Sequence, residues 1–208
     1  MSLQHRKSDG HDEYATPPYI WRPLARAVGG FDVDPASGAE STPIADTRYT
    51  KDDNGLKHTW EGDVWLNPPF ADKPSTGEGK REKWLKKARS EAKRPEVRSV
   101  TVLLPVDVST RWFHQHVVEA GVICFLDHRP EFEGNKAEET GNTSFAIQIA
   151  VYGDPPEDLV EALEQHGAVF RGREYYRRTV QQTLVTATDG GNDCKVQPDT
   201  DRTEVEQE

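Results

Sequence analysis

Short runs of apolar residues recur along this chain, and turn residues separate them. Each run has the length and the Gly, Pro, Asn or Asp boundaries that are typical of strands. The runs lie at 31–34, 63–66, 99–104, 122–127, 144–152 and 168–170. Helix-start residues and apolar positions at helical spacing predict helices over 18–28, 81–93, 109–120 and 156–166. Strands that alternate with helices indicate an α/β fold with a mostly parallel central sheet.

The two ends of the chain are polar, and they frame a single predicted domain over 12–180. Residues 1–11 and the acidic tail 181–208 lack the apolar content that an ordered chain needs, so we expect both to be disordered. The chain has no apolar stretch long enough to span a membrane and no apolar leader core, which predicts a cytoplasmic protein. Cys124 lies in an apolar run and is expected to be a buried thiol.

The strand over 63–66 ends at Asn67-Pro68-Pro69-Phe70, which is the most informative segment of the chain. Ligands of open α/β sheets bind at the carboxyl ends of strands. The Asn67 side-chain oxygen and the Pro68 carbonyl can each accept one N–H, and Phe70 offers a face for a planar group. Together they suit an amino group on a flat ring, such as that of an adenine flipped out of a duplex. The alternative is a plain strand-ending turn with proline punctuation.

Two earlier segments favour a ligand site over a plain turn. Tyr14-Ala15-Thr16-Pro17-Pro18 precedes the first predicted helix, with Thr16 as its N-cap and Pro17 in its first turn. A later strand ends at Asp34 and runs into the small-residue turn Pro35-Ala36-Ser37. A carboxylate and small residues at a strand end let the backbone approach a ligand closely.

The order of these segments resembles one family of amino-methyltransferases. Phage-type DNA adenine methyltransferases, often called phage Dam, look like Phe-Asp-x-Asp, Tyr-Thr-x-x-Asp, a Trp, and then Trp-x-Asn-Pro-Pro-aromatic. This chain has these elements at Phe31 to Asp34, Tyr49 to Asp53, Trp60, and Trp65 to Phe70. The similarity covers roughly residues 12 to 152. The ordered set is far more specific than Asn-Pro-Pro-aromatic alone.

The resemblance implies a compact Rossmann-like methyltransferase fold and S-adenosylmethionine as the cofactor. It also implies methylation of the exocyclic amino group of adenine in DNA, with Asn67, Pro68, Pro69 and Phe70 as catalytic residues. The residues implied to bind the cofactor are Tyr14, Thr16, Pro17, Pro18, Asp32, Asp34, Pro35, Ala36, Ser37, Asp53 and Asn54. The family usually has an acidic residue directly before Gly-Leu, where this chain has Asn54, so the contact to the cofactor adenine is open between Asp53 and Asn54.

A basic segment follows the Asn67 motif, although the chain has a formal net charge of −10. Between residues 79 and 98 there are nine Lys or Arg and three Glu. The phosphates of double-stranded DNA need neutralising cations near the reacting base. We therefore predict DNA contacts from Lys80, Arg81, Lys83, Lys86 and Lys87. A solvated helix face is an alternative of equal weight.

Other chemistries have weaker support in the sequence. His114 and His116 point away from each other on a helix, and no cysteine pair has zinc spacing, so we expect no metal. The Asn-Pro-Pro-aromatic motif also occurs in methyltransferases that act on RNA or on protein glutamine. A catalytically inactive DNA-binding module is a further alternative. We expect the protein to be a monomer without membrane association.

Overall fold

Seven strands of the computed structural model form one mixed sheet, and three more form a second, smaller sheet. The structure describes residues 14–38, 43–70, 79–134, 140–142, 145–173 and 175–181. The chain divides into two compact units, residues 1–176 and 177–208. Every element named below belongs to the first unit. Residues 177–181 of the second unit are helical.

Strands and helices alternate over most of the first unit. The strands are β1 (Tyr14–Ala15), β2 (Phe31–Asp34), β3 (Ala45–Arg48), β4 (Gly62–Leu66), β5 (Val97–Pro105), β6 (Val122–Leu126), β7 (Glu131–Gly134), β8 (Thr140–Asn142), β9 (Ile147–Gly153) and β10 (Gly167–Arg171). The helices are α1 (Pro18–Val28), α2 (Lys80–Glu91), α3 (Arg111–Gln115) and α4 (Glu157–Glu164), with 3-10 turns at Gly55–Lys57 and Val117–Glu119.

The large sheet has the strand order β10-β6-β9-β5-β4-β2-β3. Strands β3, β2, β4 and β5 run parallel to one another. Strand β9 is antiparallel to both β5 and β6, so β6 runs in the same direction as those four strands, and β9 and β10 are reversed. The predicted α/β fold with a mostly parallel sheet, compatible with a Rossmann-like methyltransferase, is confirmed.

The order of the strands switches at the junction of β2 and β4. The chain forms β3 on one side of β2, and it then returns to form β4 on the other side. Val33 of β2 lies opposite Val64 of β4 at this junction. A crevice opens at such a switch point outside the carboxyl ends of the strands, and ligands of open α/β sheets bind there. Asp34 ends β2 and Asn67 follows β4, so both lie at this crevice.

Apolar side chains cover both faces of the large sheet, as a buried parallel sheet requires. Along β4, Val64 and Leu66 belong to one core cluster and Trp65 to the other, because side chains of a strand alternate between its faces. Helices α1 and α4 contribute to the cluster that contains Trp65. Helices α2 and α3 contribute to the other cluster. The strand that leads to Asn67 is therefore packed on both faces.

Some predicted elements differ from those in the structure. The helix expected over 109–120 is replaced by the short α3 and a separate 3-10 turn. The sequence does not predict strand β3, because only Ala45 of its four residues is buried. The expectations for residues 1–11 and 182–208 lie outside the described residues. Cys124 is buried as predicted, and its thiol donates to the Leu163 carbonyl at 3.4 Å.

A buried carboxylate joins the end of α2 to the segment that enters β4. Glu91 accepts the Trp60 backbone N–H at 2.9 Å, Lys87 at 2.7 Å and Arg94 at 2.6 Å. Burial acts to raise the pKa of Glu91, but the hydrogen bonds from Lys87, Trp60 and Arg94 outweigh it, so the pKa lies below its ordinary value. The ionised carboxylate holds the start of β4 against α2.

We predict that Glu91→Ala lowers the free energy of unfolding by about 2–3 kcal/mol, because the buried Trp60 N–H loses its acceptor. Urea unfolding followed by tryptophan fluorescence measures this loss. Glu96→Ala is the matched control, because Glu96 pairs with the same Arg94 at 3.2 Å but its side chain is 55% exposed. That control should cost less than about 1 kcal/mol. Equal losses in the two variants would contradict the structural role of Glu91.

Candidate active site

Asn67 is fixed at the carboxyl end of β4 by its neighbours in the chain. Trp65 and Leu66 before it are fully buried. Pro68 after it is also buried and has a fixed φ. The Asn67 amide nitrogen donates to the Thr16 hydroxyl over 3.2 Å. The nitrogen of the amide is directed at Thr16. The amide oxygen, which is the atom that can accept a hydrogen bond from an amino group, is on the other branch of the side chain.

The small sheet explains how Thr16 reaches Asn67. Strand β1 pairs with β7, with Tyr14 opposite Gly134, and Thr16 follows directly after this strand. Thr16 is buried, whereas Pro17 occupies the N-cap position of α1 and Pro18 is the first helical residue. The prediction that Thr16 caps the helix is therefore wrong. Its hydroxyl accepts the Asn67 amide instead.

Phe70 belongs to a cluster of three phenylalanines. Its ring centroid lies 6.2 Å from that of Phe132 and 5.9 Å from that of Phe145, at interplanar angles of 88° and 73°. Such edge-to-face contacts orient the Phe70 ring. Phe132 is buried on β7, whereas Phe145 is 37% exposed just before β9. The sequence does not predict the contacts of Phe70 with Phe132 and Phe145, because no spacing in the chain relates these residues. The pairing of distant strands brings them to the motif.

Asp34 is a buried carboxyl group at the end of β2. Its Oδ1 accepts the Ala36 N–H at 3.2 Å, in an Asx turn that encloses Pro35. Burial raises the pKa of Asp34 from 3.8 to about 7, although the Ala36 N–H and the charge of Arg48 act in the opposite direction. A cation or a hydroxyl donor in the crevice would favour the ionised form. Binding of such a ligand would therefore shift Asp34 towards its ionised form.

Asp32 lies on the same strand, but its contacts are at the other end of the sheet. Its Oδ2 accepts the Asp63 backbone N–H at 2.7 Å and faces Arg98 at 3.5 Å. Arg98 also pairs with the buried Asp63 carboxylate at 2.5 Å. Because Asp63 is near the start of β4, the structure does not bring Asp32 to the crevice that contains Asp34.

The loop after β3 closes onto the turn that follows β2. A Cβ on Gly55 would lie 2.0 Å from the Pro35 carbonyl oxygen, so this approach requires glycine. Asn54 is half-buried, with a left-handed φ of 56°. Asp53 is exposed, and hydrogen bonds from the Thr50 side chain and backbone hold its carboxylate and lower its pKa. Gly55 contacts Pro35, which follows Asp34. Asn54 is one residue from this contact in the chain, and Asp53 is two residues from it.

The lysines predicted to contact DNA differ in their surroundings. Lys87 pairs with Glu91 at 2.7 Å, and its Nζ lies 5.6 Å from the centroid of the Trp60 ring. Its charge is therefore used within the protein. The exposed lysines of this helix that were predicted to contact DNA are Lys80, Lys83 and Lys86.

Arg81 contacts the Asn67 motif itself. Its guanidinium donates to the Phe70 backbone carbonyl and lies 4.8 Å from the centroid of the Trp112 ring. The structure therefore gathers Thr16, Asn67, Phe70 and Arg81 around one turn, with Asp34 at the neighbouring strand end.

Within the described part of the chain, no three His, Cys, Asp or Glu side chains are grouped as metal ligands. None of the described helices is long and apolar enough to cross a membrane.

Comparison with known proteins decides the family. The family described as DNA N-6-adenine-methyltransferase (Dam) matches residues 4–169. The chain belongs to the Dam family. The match extends beyond both ends of the region on which the resemblance to phage Dam rests, and that prediction is confirmed. Adenine methylation of DNA is the activity that defines this family, so the predicted function is confirmed at that level.

Individual Dam relatives come from phages. A DNA N-6-adenine-methyltransferase of Escherichia phage T1 is 27% identical over 176 residues, which are 83% of this chain and 67% of the relative. One of Haemophilus phage HP1 (strain HP1c1) is 25% identical over 158 residues, which are 74% of this chain and 86% of the relative. A chain from a solved structure of a type I R-M system superposes with a TM-score of 0.44 at 14% identity, covering 72% of this chain and 44% of that one.

We predict that the free energy of unfolding falls as the pH rises from about 4 to 7. Native Asp34 keeps its proton up to a pKa of about 7, whereas the unfolded chain releases it near 3.8. The stabilising contribution is therefore complete below the lower value and is lost as the pH rises through the higher one. At about 1.4 kcal/mol per pKa unit, the change amounts to a few kcal/mol.

Urea unfolding across this pH range should show a flatter profile for Asp34→Asn than for the unsubstituted protein. Asp32→Asn is the matched control, because it removes a carboxylate of the same strand that lies away from the crevice. A profile flattened equally by Asp32→Asn would contradict the assignment to Asp34.

Proposed function

We propose that this Dam-family chain transfers a methyl group from S-adenosylmethionine to the exocyclic amino group of adenine in double-stranded DNA, as a monomer without a metal. One observation carries the proposal. Asn67 and Asp34 lie at the carboxyl ends of the neighbouring strands β4 and β2, where the strand order switches. A target base at Asn67 and a cofactor at Asp34 would therefore be adjacent.

The residues at the β2 end suit the chemical groups of S-adenosylmethionine. The buried Asp34 carboxyl can accept a ribose hydroxyl or balance a positive charge. Ala36 and Ser37 are small and half-buried, and they follow it in the turn. Asn54 adjoins the glycine packed on Pro35 and can contact the cofactor adenine. When bound, this cofactor supplies a methyl group already activated on a sulfonium, so the protein need not form a covalent intermediate.

The two sides of the crevice have different roles in this proposal. Tyr14, Thr16, Pro17 and Pro18 are proposed to contribute to the cofactor side from the segment that precedes β2, in which Thr16 contacts Asn67. Asp32 supports the sheet through Asp63 and Arg98, and it contributes to cofactor binding only indirectly. Asp34 is the direct contact on β2.

Asn67 and Pro68 act on the target amino group. The Asn67 side-chain oxygen accepts one N–H of the adenine amino group, and the Pro68 carbonyl accepts the other. These two bonds draw the nitrogen lone pair out of conjugation with the ring and direct it at the methyl group. The Thr16 hydroxyl accepts the Asn67 amide nitrogen, and this hydrogen bond fixes the orientation of the amide that would face the substrate. Catalysis is then a matter of orientation and of charge stabilisation.

The three phenylalanines form the surface that receives the base. Phe70 offers the stacking face, and Phe132 holds its ring from the buried side. Phe145 is partly exposed next to Phe70 and is the second aromatic side chain that a flipped base would meet. Aromatic stacking of one base contributes about 1–3 kcal/mol, which helps to offset the cost of unstacking it from the duplex.

We predict that Asn67→Ala lowers the rate of methyl transfer by about 10²–10³, because a positioned hydrogen bond to the reacting group is lost. Cofactor binding should persist, since Asp34 and its turn are unchanged. Tritium transfer from labelled S-adenosylmethionine to adenine-containing DNA measures the rate. The rise in melting temperature with added cofactor measures binding.

Matched variants separate catalysis from folding in this experiment. Thr16→Val removes the hydroxyl but keeps the shape of the side chain, and it should lower the rate less than Asn67→Ala. Phe70→Trp should retain more activity than Phe70→Ala, because it keeps an aromatic face. Methyl transfer by Asn67→Ala at the rate of the unsubstituted protein would reject the catalytic role. Transfer to RNA or to protein glutamine in preference to DNA would reject the proposed substrate.

We predict that Lys83→Gln flattens the salt dependence of DNA binding, since each phosphate contact contributes about 0.9 to the slope of log affinity against log salt. Lys93→Gln is the matched control. Lys93 is exposed beyond the other end of the same helix, about 15 Å from Lys83 at a rise of 1.5 Å per residue. Equilibrium binding to a duplex at several salt concentrations gives both slopes. Equal slopes for the two variants would assign the exposed lysines of α2 to solvent rather than to DNA.

A further inference from the structure

Arg81 is the second residue of the basic helix α2, but its contacts are made within the protein. The guanidinium donates a hydrogen bond to the backbone carbonyl of Phe70. It also lies 4.8 Å from the centroid of the Trp112 ring, and its Nε is buried. A guanidinium is planar, so it can stack on an indole face and hydrogen-bond at its edge at the same time. These contacts differ from those of Lys83, which is exposed on the same helix.

The hydrogen bond from Arg81 contacts the turn Asn67–Phe70 at its last residue, Phe70. At the start of the turn, the pairing of β4 with β2 and β5 holds the residues before Asn67. Pro68 and Pro69 have no N–H groups, so these two residues cannot secure the turn with backbone donors of their own. Arg81 supplies a donor to the Phe70 carbonyl from α2.

Trp112 gives the Arg81 side chain a fixed orientation. The indole is half-buried on α3 and packs against the core cluster that includes Trp84 and Leu85 of α2. A guanidinium stacked on such a ring loses much of its freedom to rotate. Trp112 and Arg81 therefore form one unit that links α3, α2 and the Asn67 turn.

We infer that Arg81 is a positioning residue, which sets the Asn67–Phe70 turn for catalysis through the Phe70 carbonyl, with Trp112 holding its guanidinium. This role rests on the proposed function, because the groups that Arg81 positions are those assigned to the target adenine. It replaces the phosphate contact predicted for Arg81 from the sequence. It also distinguishes Arg81 from the exposed lysines of α2.

A phosphate contact and a positioning role of Arg81 should respond differently to substitution of Arg81 by lysine. A phosphate contact tolerates lysine, which binds phosphate as a point charge. A stacked guanidinium that donates at its edge does not tolerate lysine, because the ammonium has no planar face. Arg81→Lys should therefore impair a positioning role almost as much as Arg81→Ala, while it preserves the charge.

The experiment compares Arg81→Lys, Arg81→Ala, Trp112→Leu and Trp112→Phe in the full chain. We expect kcat at saturating DNA and S-adenosylmethionine to fall by about 10- to 100-fold for the first three variants, as for other misplacements of catalytic groups. Trp112→Phe keeps an aromatic face and should lose the least. The salt slope of duplex binding should be unchanged in every Arg81 variant. The rise in melting temperature with cofactor should persist.

Arg89→Lys is the matched control. Arg89 is on the same helix and pairs with Glu119 at 3.0 Å, and lysine keeps that charge. Its kcat should equal that of the unsubstituted protein, which shows that loss of a guanidinium from α2 is not sufficient. Should Arg81→Ala fail to fold, the comparison of Arg81→Lys with Arg89→Lys decides the outcome.

Two results would overturn the positioning role. One is a kcat for Arg81→Lys within about twofold of the unsubstituted protein. The other is a salt slope for Arg81→Ala that is smaller by about 0.9, the value of one lost phosphate contact, with kcat preserved. A failure of the proposed function is distinct from both, because the unsubstituted protein would then transfer no methyl group to DNA.

Discussion

The parallel pairing of β2 with β4 is the contact on which the candidate site depends. Val33 opposite Val64 sets the register of the two strands, and this register places Asp34 and Asn67 at the same edge of the sheet. A slip of one residue would turn the buried side chains of β4 towards the wrong face. The fully buried Trp65 opposes such a slip, because its ring would have to leave the core cluster in which it is packed. Packing of the core thus determines the distance between Asp34 and Asn67.

Helix α2 supports this arrangement at both ends of β4. Its last residue, Glu91, accepts the Trp60 N–H before the strand begins, and its second residue, Arg81, donates to the Phe70 carbonyl after the strand ends. The eleven residues from Arg81 to Glu91 span about 16 Å at the rise of an α-helix. The five residues of β4 span about 17 Å as a strand. The lengths are similar, so one helix can hold both flanks of the strand, and a displacement of α2 would be transmitted directly to Asn67.

The parts of this site that the sequence predicts are those determined by local chain chemistry. A strand that stops at Asn67 and another that stops at Asp34 are visible as apolar runs followed by turn residues. The inward residues of α2, Trp84, Leu85 and Ala88, follow from helical spacing and are buried as expected. These features need only a few neighbouring residues to be specified.

The parts that the sequence does not predict arise from contacts between distant segments. Thr16 looks like a helix cap because its neighbours are prolines, yet the pairing of β1 with β7 carries it to Asn67. Phe132 and Phe145 reach Phe70 by the same kind of long-range pairing. Asp32 and Asp34 look alike on one strand, and only the neighbouring Asp63 and Arg98 separate their roles. Residue type alone cannot resolve such cases, because the partner decides the role.

The ion-pair partners of the basic residues on α2 likewise cannot be predicted from the sequence. Of the basic residues that the sequence concentrates on α2, Lys87 is neutralised by Glu91 and Arg89 by Glu119. Of the exposed lysines, Lys80 and Lys83 lie in the first half of the helix, which is the half that follows the Asn67 turn, and Lys86 lies at its middle. A formal net charge of −10 then works in favour of selectivity. Acidic surface elsewhere repels the phosphate backbone, so attraction is concentrated where the local charge is positive. We therefore expect the acidic balance to restrict where DNA can bind and to favour the face that carries the exposed lysines of α2.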